Sequence, residues 1–66
     1  MRGKIKKLMR DRNYGFIYAE NGKQLFFHRS ALLEDVFDSL TEGTALEFNI
    51  EKGPKGLKAI NIKMLK

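Results

Sequence analysis

Between residues 14 and 19 the chain alternates with a period of two. Tyr14, Phe16 and Tyr18 fall on one parity, and Gly15, Ile17 and Ala19 on the other. Residues two apart on a strand project from the same face, so this stretch predicts a strand with a row of aromatic rings along one side. Residues 24–28, QLFFH, follow a turn at residues 20–23, ENGK, whose Asn and Gly tolerate positive φ, and so predict the hairpin partner. Ahead of them, residues 4–8 predict a basic strand in which Ile5 and Leu8 stand three apart. That spacing breaks strict alternation and implies a bulge.

In the second half, Leu46, Phe48 and Ile50 alternate with Glu47, Asn49 and Glu51, the pattern of a half-buried strand over residues 45–51. KGPKG at residues 52–56 reads as a turn, and Ile60, Ile62 and Met64 alternate with Ala59, Asn61 and Lys63 in a fifth strand. Ser30 is placed to cap one short helical turn through Ala31 and Leu32, and residues 32–43 form a long acidic connection. Five short strands with one long excursion predict an all-β fold, a small five-stranded antiparallel barrel spanning residues 1–66 as one domain.

Such a barrel has an interior to fill. Ile5, Leu8, Ile17, Leu25, Phe27, Leu46, Phe48, Ile50, Ile60 and Ile62 make a sufficient set. With Ile17 and Leu25 inside, Tyr14, Phe16 and Tyr18 turn outward, and so do Phe26 and His28. The opposite parity would bury Tyr14, Phe16 and Phe26, leave Ile17 and Leu25 exposed, and draw His28 inside. Phe37 and Leu40 lie in the acidic connection. Leu40 is assigned to the interior, whereas Phe37 on its residue type alone would fold back as a lid over the barrel end.

Charge gives the outward rings a meaning. The chain of 66 residues carries 13 Lys and Arg against 8 Asp and Glu, a net charge of +5. The excess is uneven, because Arg2, Lys4, Lys6, Lys7, Arg10 and Arg12 precede the first aromatic with only Asp11 among them. A basic side points to a polyanionic partner. Exposed rings beside cations suit single-stranded nucleic acid: bases stack on the rings at about 1–3 kcal/mol each while cations track the phosphates.

Several classes of function find no footing. With no cysteine and His28 as the sole histidine, neither a disulfide framework nor a thiolate or multi-histidine metal site can be assembled. No apolar run approaches the roughly 18–20 residues of a membrane span, and the basic start lacks the apolar core of a secretory signal; a soluble cytoplasmic protein is expected. No nucleophile stands beside a base and no carboxylates are paired on a strand. Asp11 with His28 is too little for a nuclease, so the sequence predicts no enzyme, cofactor or small-molecule substrate.

RNYGFI at residues 12–17 followed by LFFH at residues 25–28 resembles the paired ribonucleoprotein motifs of the cold-shock domain family, usually Lys-Gly-Phe-Gly-Phe-Ile and Val-Phe-Val-His-Phe. GKIK near the start, SAL after the histidine, and LTEGTALEFNIEKGPKGLKAINI toward the end fall in the same register, so the resemblance covers nearly the whole chain. It implies a barrel of the oligonucleotide-binding (OB) type that binds single-stranded RNA or DNA with modest sequence preference. By the same resemblance Tyr14, Phe16, Phe26 and His28 occupy base-stacking positions. Phe37 becomes a loop aromatic extending the platform, and Lys6 and Asp11 fall at its polar rim.

The departures from the family pattern carry their own expectations. KKLM at residues 6–9 stands where the family usually has Lys-Trp-Phe-Asn, which puts Lys7 at the tryptophan position and Met9 at the asparagine. Arg29 replaces the phenylalanine after the histidine, and Asn13 replaces the first glycine. Arg29 can still stack a planar guanidinium on a base, whereas Lys7 offers a point charge. The exchange predicts weaker base discrimination and steeper salt dependence than a typical member, unless Tyr18 or another ring fills the vacant stacking place. Lys55 and Lys58 read either as phosphate contacts or as solvated lysines. The function expected is a monomeric single-stranded nucleic-acid binder, an RNA chaperone or a regulator of transcription or translation. The alternative is a small barrel that binds protein through the same aromatic face.

Overall fold

The computed structural model describes residues 1–34, 36–54 and 56–65. Strand β1 runs over Arg2–Met9, β2 over Tyr14–Ala19, β3 over Gln24–His28, β4 over Ala45–Gly53 and β5 over Gly56–Met64. They close into a barrel in the order β1-β2-β3-β5-β4. Neighbours are antiparallel except at the closure, where β3 and β5 run parallel through Phe26↔Lys58. Short 3-10 turns occupy Arg10–Arg12, Arg29–Ala31 and Phe37–Ser39. Among the described residues no helix is long and apolar enough to cross a membrane.

Local chemistry sets the junctions. The β2–β3 hairpin turns where Asn21 Oδ1 accepts from the Lys23 amide at 3.0 Å and Gly22 takes φ +85°. Asn13 leaves the first 3-10 turn at φ 61°, ψ 34°. Asn is the non-glycine residue best suited to that left-handed conformation, which explains how it can replace the usual glycine there. The turn after β3 is capped differently from expectation. His28, not Ser30, is the capping residue, because its Nδ1 accepts from the Ser30 amide at 3.1 Å, and the turn covers Arg29–Ala31 instead of running through Leu32.

Two bulges decide which side chains enter the barrel. In β1 the register shifts between Ile5 and Lys7, so Ile5 and Leu8 both face inward as their spacing predicts. In β5 a second shift lies opposite Glu47 and Asn49, at Asn61 with φ 52°. The extra residue breaks the alternation of Ile60, Ile62 and Met64. Ala59 and Ile62 are buried, whereas Ile60 turns to the outer side, so the assignment of Ile60 to the interior is corrected. Ile17, Leu25, Phe27, Leu46 and Phe48 complete the strand core, and Leu8 and Ile50 pack against it half-buried.

The acidic connection is not a passive loop. Phe37 and Leu40 are both wholly buried. Arg10 holds this segment in place, donating from Nη1 to the Asp38 carbonyl at 3.1 Å and from Nη2 to the Leu40 carbonyl. One guanidinium thereby satisfies two carbonyls of a segment that would otherwise lack a strand partner.

Candidate nucleic-acid interface

Registry across the strands assembles the outer face. Directly opposed residues of an antiparallel pair share a face. Lys4↔Tyr18, Lys7↔Phe16 and Met9↔Tyr14 join β1 to β2, and Tyr18↔Gln24, Phe16↔Phe26 and Tyr14↔His28 join β2 to β3. Phe26↔Lys58 carries the central row onto β5. Read across the barrel from β1 to β5, that row is Lys7, Phe16, Phe26, Lys58, two rings between two lysines, with Glu51 of β4 opposite Lys58.

The rings form a packed group. Tyr14 and Phe16 meet edge to face with centroids 5.9 Å apart, Tyr14 and Phe26 lie at 5.4 Å with planes tilted 40°, and Phe16 and Phe26 at 6.1 Å. Such pairs contribute about 0.5–1.5 kcal/mol each beyond area burial and fix the rings without a ligand. Tyr14 and Phe16 are half-buried, Phe26 is 39% exposed, and Tyr18, between Lys4 and Gln24 in its own row, is 57% exposed. Gly15 lies beneath them. A Cβ there would stand 2.8 Å from Phe27 Cε1 and 2.7 Å from the Lys7 carbonyl oxygen, so only glycine lets β2 rest on the core at this point.

The polar residues divide into those beside the rings and those drawn away. Lys6, the bulged residue of β1, reaches across β2 to donate from Nζ to Gln24 Oε1 at 2.7 Å. Lys58 pairs with Glu51 at 3.5 Å. Ser30 contacts His28 Nδ1 through its amide at 3.1 Å and its hydroxyl at 3.0 Å. An amide can only donate, so Nδ1 accepts and the ring presents Nε2–H outward. Asp11 is exposed on the turn Arg10–Arg12, at the end of the sheet marked by Tyr14 and His28. Lys55 lies outside the described residues.

Phe37 requires a correction. The resemblance assigns it to an extended stacking platform, but it is wholly buried, with its ring centroid 6.3 Å from that of Phe27. A buried ring has no face for a base. Arg29 covers it from outside, with Cζ 5.7 Å from the ring centroid and Nη2 3.8 Å from Asp38 Oδ2. In this place the guanidinium makes a cation–π contact with the protein's own aromatic.

Sequence reasoning passed over Lys4, Met9, Gln24 and Ile60, all of which belong to the outer face. A signal for Lys4 was present. The spacing of three that reveals the bulge through Ile5 and Leu8 also places Lys4 and Lys7 on one side. Ile60 carried none, because nothing in INIKM marks the bulge at Asn61. Among the described residues no group of three or more His, Asp or Glu is arranged to hold a metal ion.

Comparison with known proteins agrees with this geometry. A model of the "'Cold-shock' DNA-binding domain" matches residues 1–65. A "Cold shock-like protein" of Thermotoga maritima is 40% identical over 65 residues, covering 98% of both chains. "Cold shock protein CspC" of Bacillus subtilis is 39% identical over 61 residues, covering 92% of both. The solved structure "drosophila Unr CSD456" superimposes with a TM-score of 0.75 at 26% identity, covering 98% of this chain and 26% of that longer one. Five strands closed in this order, an outer row of rings between lysines, and cold-shock relatives matched over more than nine-tenths of their length lead to one conclusion: the chain belongs to the cold-shock domain family, whose barrels bind single-stranded nucleic acid.

Proposed function

We propose that this protein binds single-stranded RNA or DNA as a monomer in the cytoplasm, stacking bases on Tyr14, Phe16, Phe26 and His28 and tracking phosphates with Lys6, Lys7 and Lys58. Tyr18 and Arg29 extend the contact at opposite ends, and Asp11 bounds it. The observation that carries the reading is the central row, in which Phe16 and Phe26 stand side by side with Lys7 and Lys58 beyond them. Flat faces at strand spacing with charge at both ends suit an unstacked strand laid over the sheet, and a duplex hides its base faces. Local melting of RNA structure, the activity of a chaperone, follows from such a preference.

A salt series of binding to a short pyrimidine-rich strand, with a duplex of the same length alongside, tests this. Phe16→Ala and Phe26→Ala should each weaken binding by about 1–3 kcal/mol and leave the salt slope unchanged, since each removes a ring and no charge. Equal affinity for duplex, or full affinity in both variants, would overturn the proposal.

A further inference from the structure

The ring group does not end at His28. Between β3, β5 and the chain leaving the Arg29–Ala31 turn lies a groove of about 330 Å³, lined by Phe26, His28, Leu32, Leu33, Ile60 and Asn61. Its volume falls at the low end of sites that enclose small molecules. The geometry points to a further nucleotide subsite here: one base of the same strand, next beyond the base over His28, seats between Leu33 and Ile60 with its edge toward Asn61. The inference rests on the nucleic-acid reading of the rings.

Three features favour a base over other occupants. The walls are apolar and firmly held. Leu33 is 62% exposed, yet its amide donates to the Ile62 carbonyl at 2.9 Å, and Leu32 bridges to Ile62 beside it. That backbone pairing holds the leucine in place as one wall of the groove. The polar groups are also of the right kind. Asn61, carried outward by the bulge at φ 52°, brings a carboxamide with both donor and acceptor, which can pair with a base edge. Lastly, among the described residues no carboxylate lines the groove, and Lys58, on its wall beside Phe26, pairs with Glu51 of β4. A strand already lying over Phe26 and His28 thus meets a groove whose described lining carries no negative charge.

The test uses thymidine oligomers lengthened one nucleotide at a time, bound to the whole protein and to Leu33→Ser and Ile60→Ser. Leu33 is exposed enough that its variant should fold, which guards against a trivial loss at the half-buried Ile60. If the groove holds a base, both variants bind the shortest strands like the parent and lose the affinity gained at one lengthening step, about tenfold on the scale of one stacked base. The Leu33 and Asn61 amide resonances of the parent then shift only with strands past that length. Variants that follow the parent at every length, with those resonances unmoved, would overturn the subsite while leaving the rings as the platform. Failure of the parent to bind the short strands would remove the platform and the subsite together.

Discussion

Replacing Phe37 by alanine separates a core ring from a platform ring. Phe37 is wholly buried against Phe27 and lies beneath the Arg29 guanidinium. Truncating a buried phenylalanine costs about 3–5 kcal/mol, from lost transfer energy and the cavity left behind. The guanidinium contact adds about 0.5–1 kcal/mol. At about 0.05–0.15 kcal/mol per residue, 66 residues give a total stability of only about 3–10 kcal/mol, so the loss consumes much of it. Each kcal/mol moves the melting temperature of so small a domain by about 4–8 °C, and Phe37→Ala should therefore melt at least about 12 °C below the parent. Circular dichroism melts, with and without a saturating short strand, measure this directly. Ligand should raise the midpoint of both proteins by mass action, and the folded fraction of the variant should bind like the parent. A variant that melts with the parent yet loses affinity would refute the burial argument and return Phe37 to the binding face.

Gly15→Ala should lower stability by about 1–3 kcal/mol in thermal melts, because the added methyl meets the Phe27 ring and the Lys7 carbonyl, and a backbone atom cannot yield. Arg10→Ala should cost about 1.5–3 kcal/mol by freeing the Asp38 and Leu40 carbonyls, and proteolysis should then cut first within residues 32–43. Lys7→Ala should reduce the slope of log affinity against log salt by about 0.7, one phosphate contact on a single strand. Lys7→Trp should flatten the same slope while holding affinity at high salt, where ionic contacts are screened and stacking persists. An unchanged slope in both Lys7 variants would remove Lys7 from the phosphate path.

The fold was legible where alternation was clean. Residues 14–19 and 24–28 match β2 and β3 to the residue, since a half-buried hairpin writes its two faces directly into the sequence. Bulges were legible only when hydrophobic residues flanked them. Ile5 and Leu8 announce the one in β1, whereas the one in β5 hides behind an unbroken alternation of Ile60, Ile62 and Met64. Its cause is the left-handed backbone at Asn61, a conformation that Asn permits without requiring. The parallel closure of β3 on β5 was likewise invisible, because strand pattern records which face is buried and not which neighbour is paired.

The site was legible to the same depth and failed for a related reason. Outward rings on β2 and β3 followed from filling the interior with Ile17, Leu25 and Phe27. Phe37 did not, since a loop aromatic carries no parity, and the family resemblance pointed it outward. Arg29 links the two cases. Where the family usually places a phenylalanine, this chain has a guanidinium that lies over Phe37 and approaches Asp38. A guanidinium there meets the ring face as a cation and keeps a charge for Asp38, whereas a phenylalanine could offer only a ring–ring contact. Arg29 thus adds a cation–π contact to a ring that Phe27 and the core already bury, so the exchange at residue 29 and the inward turn of Phe37 meet at one contact.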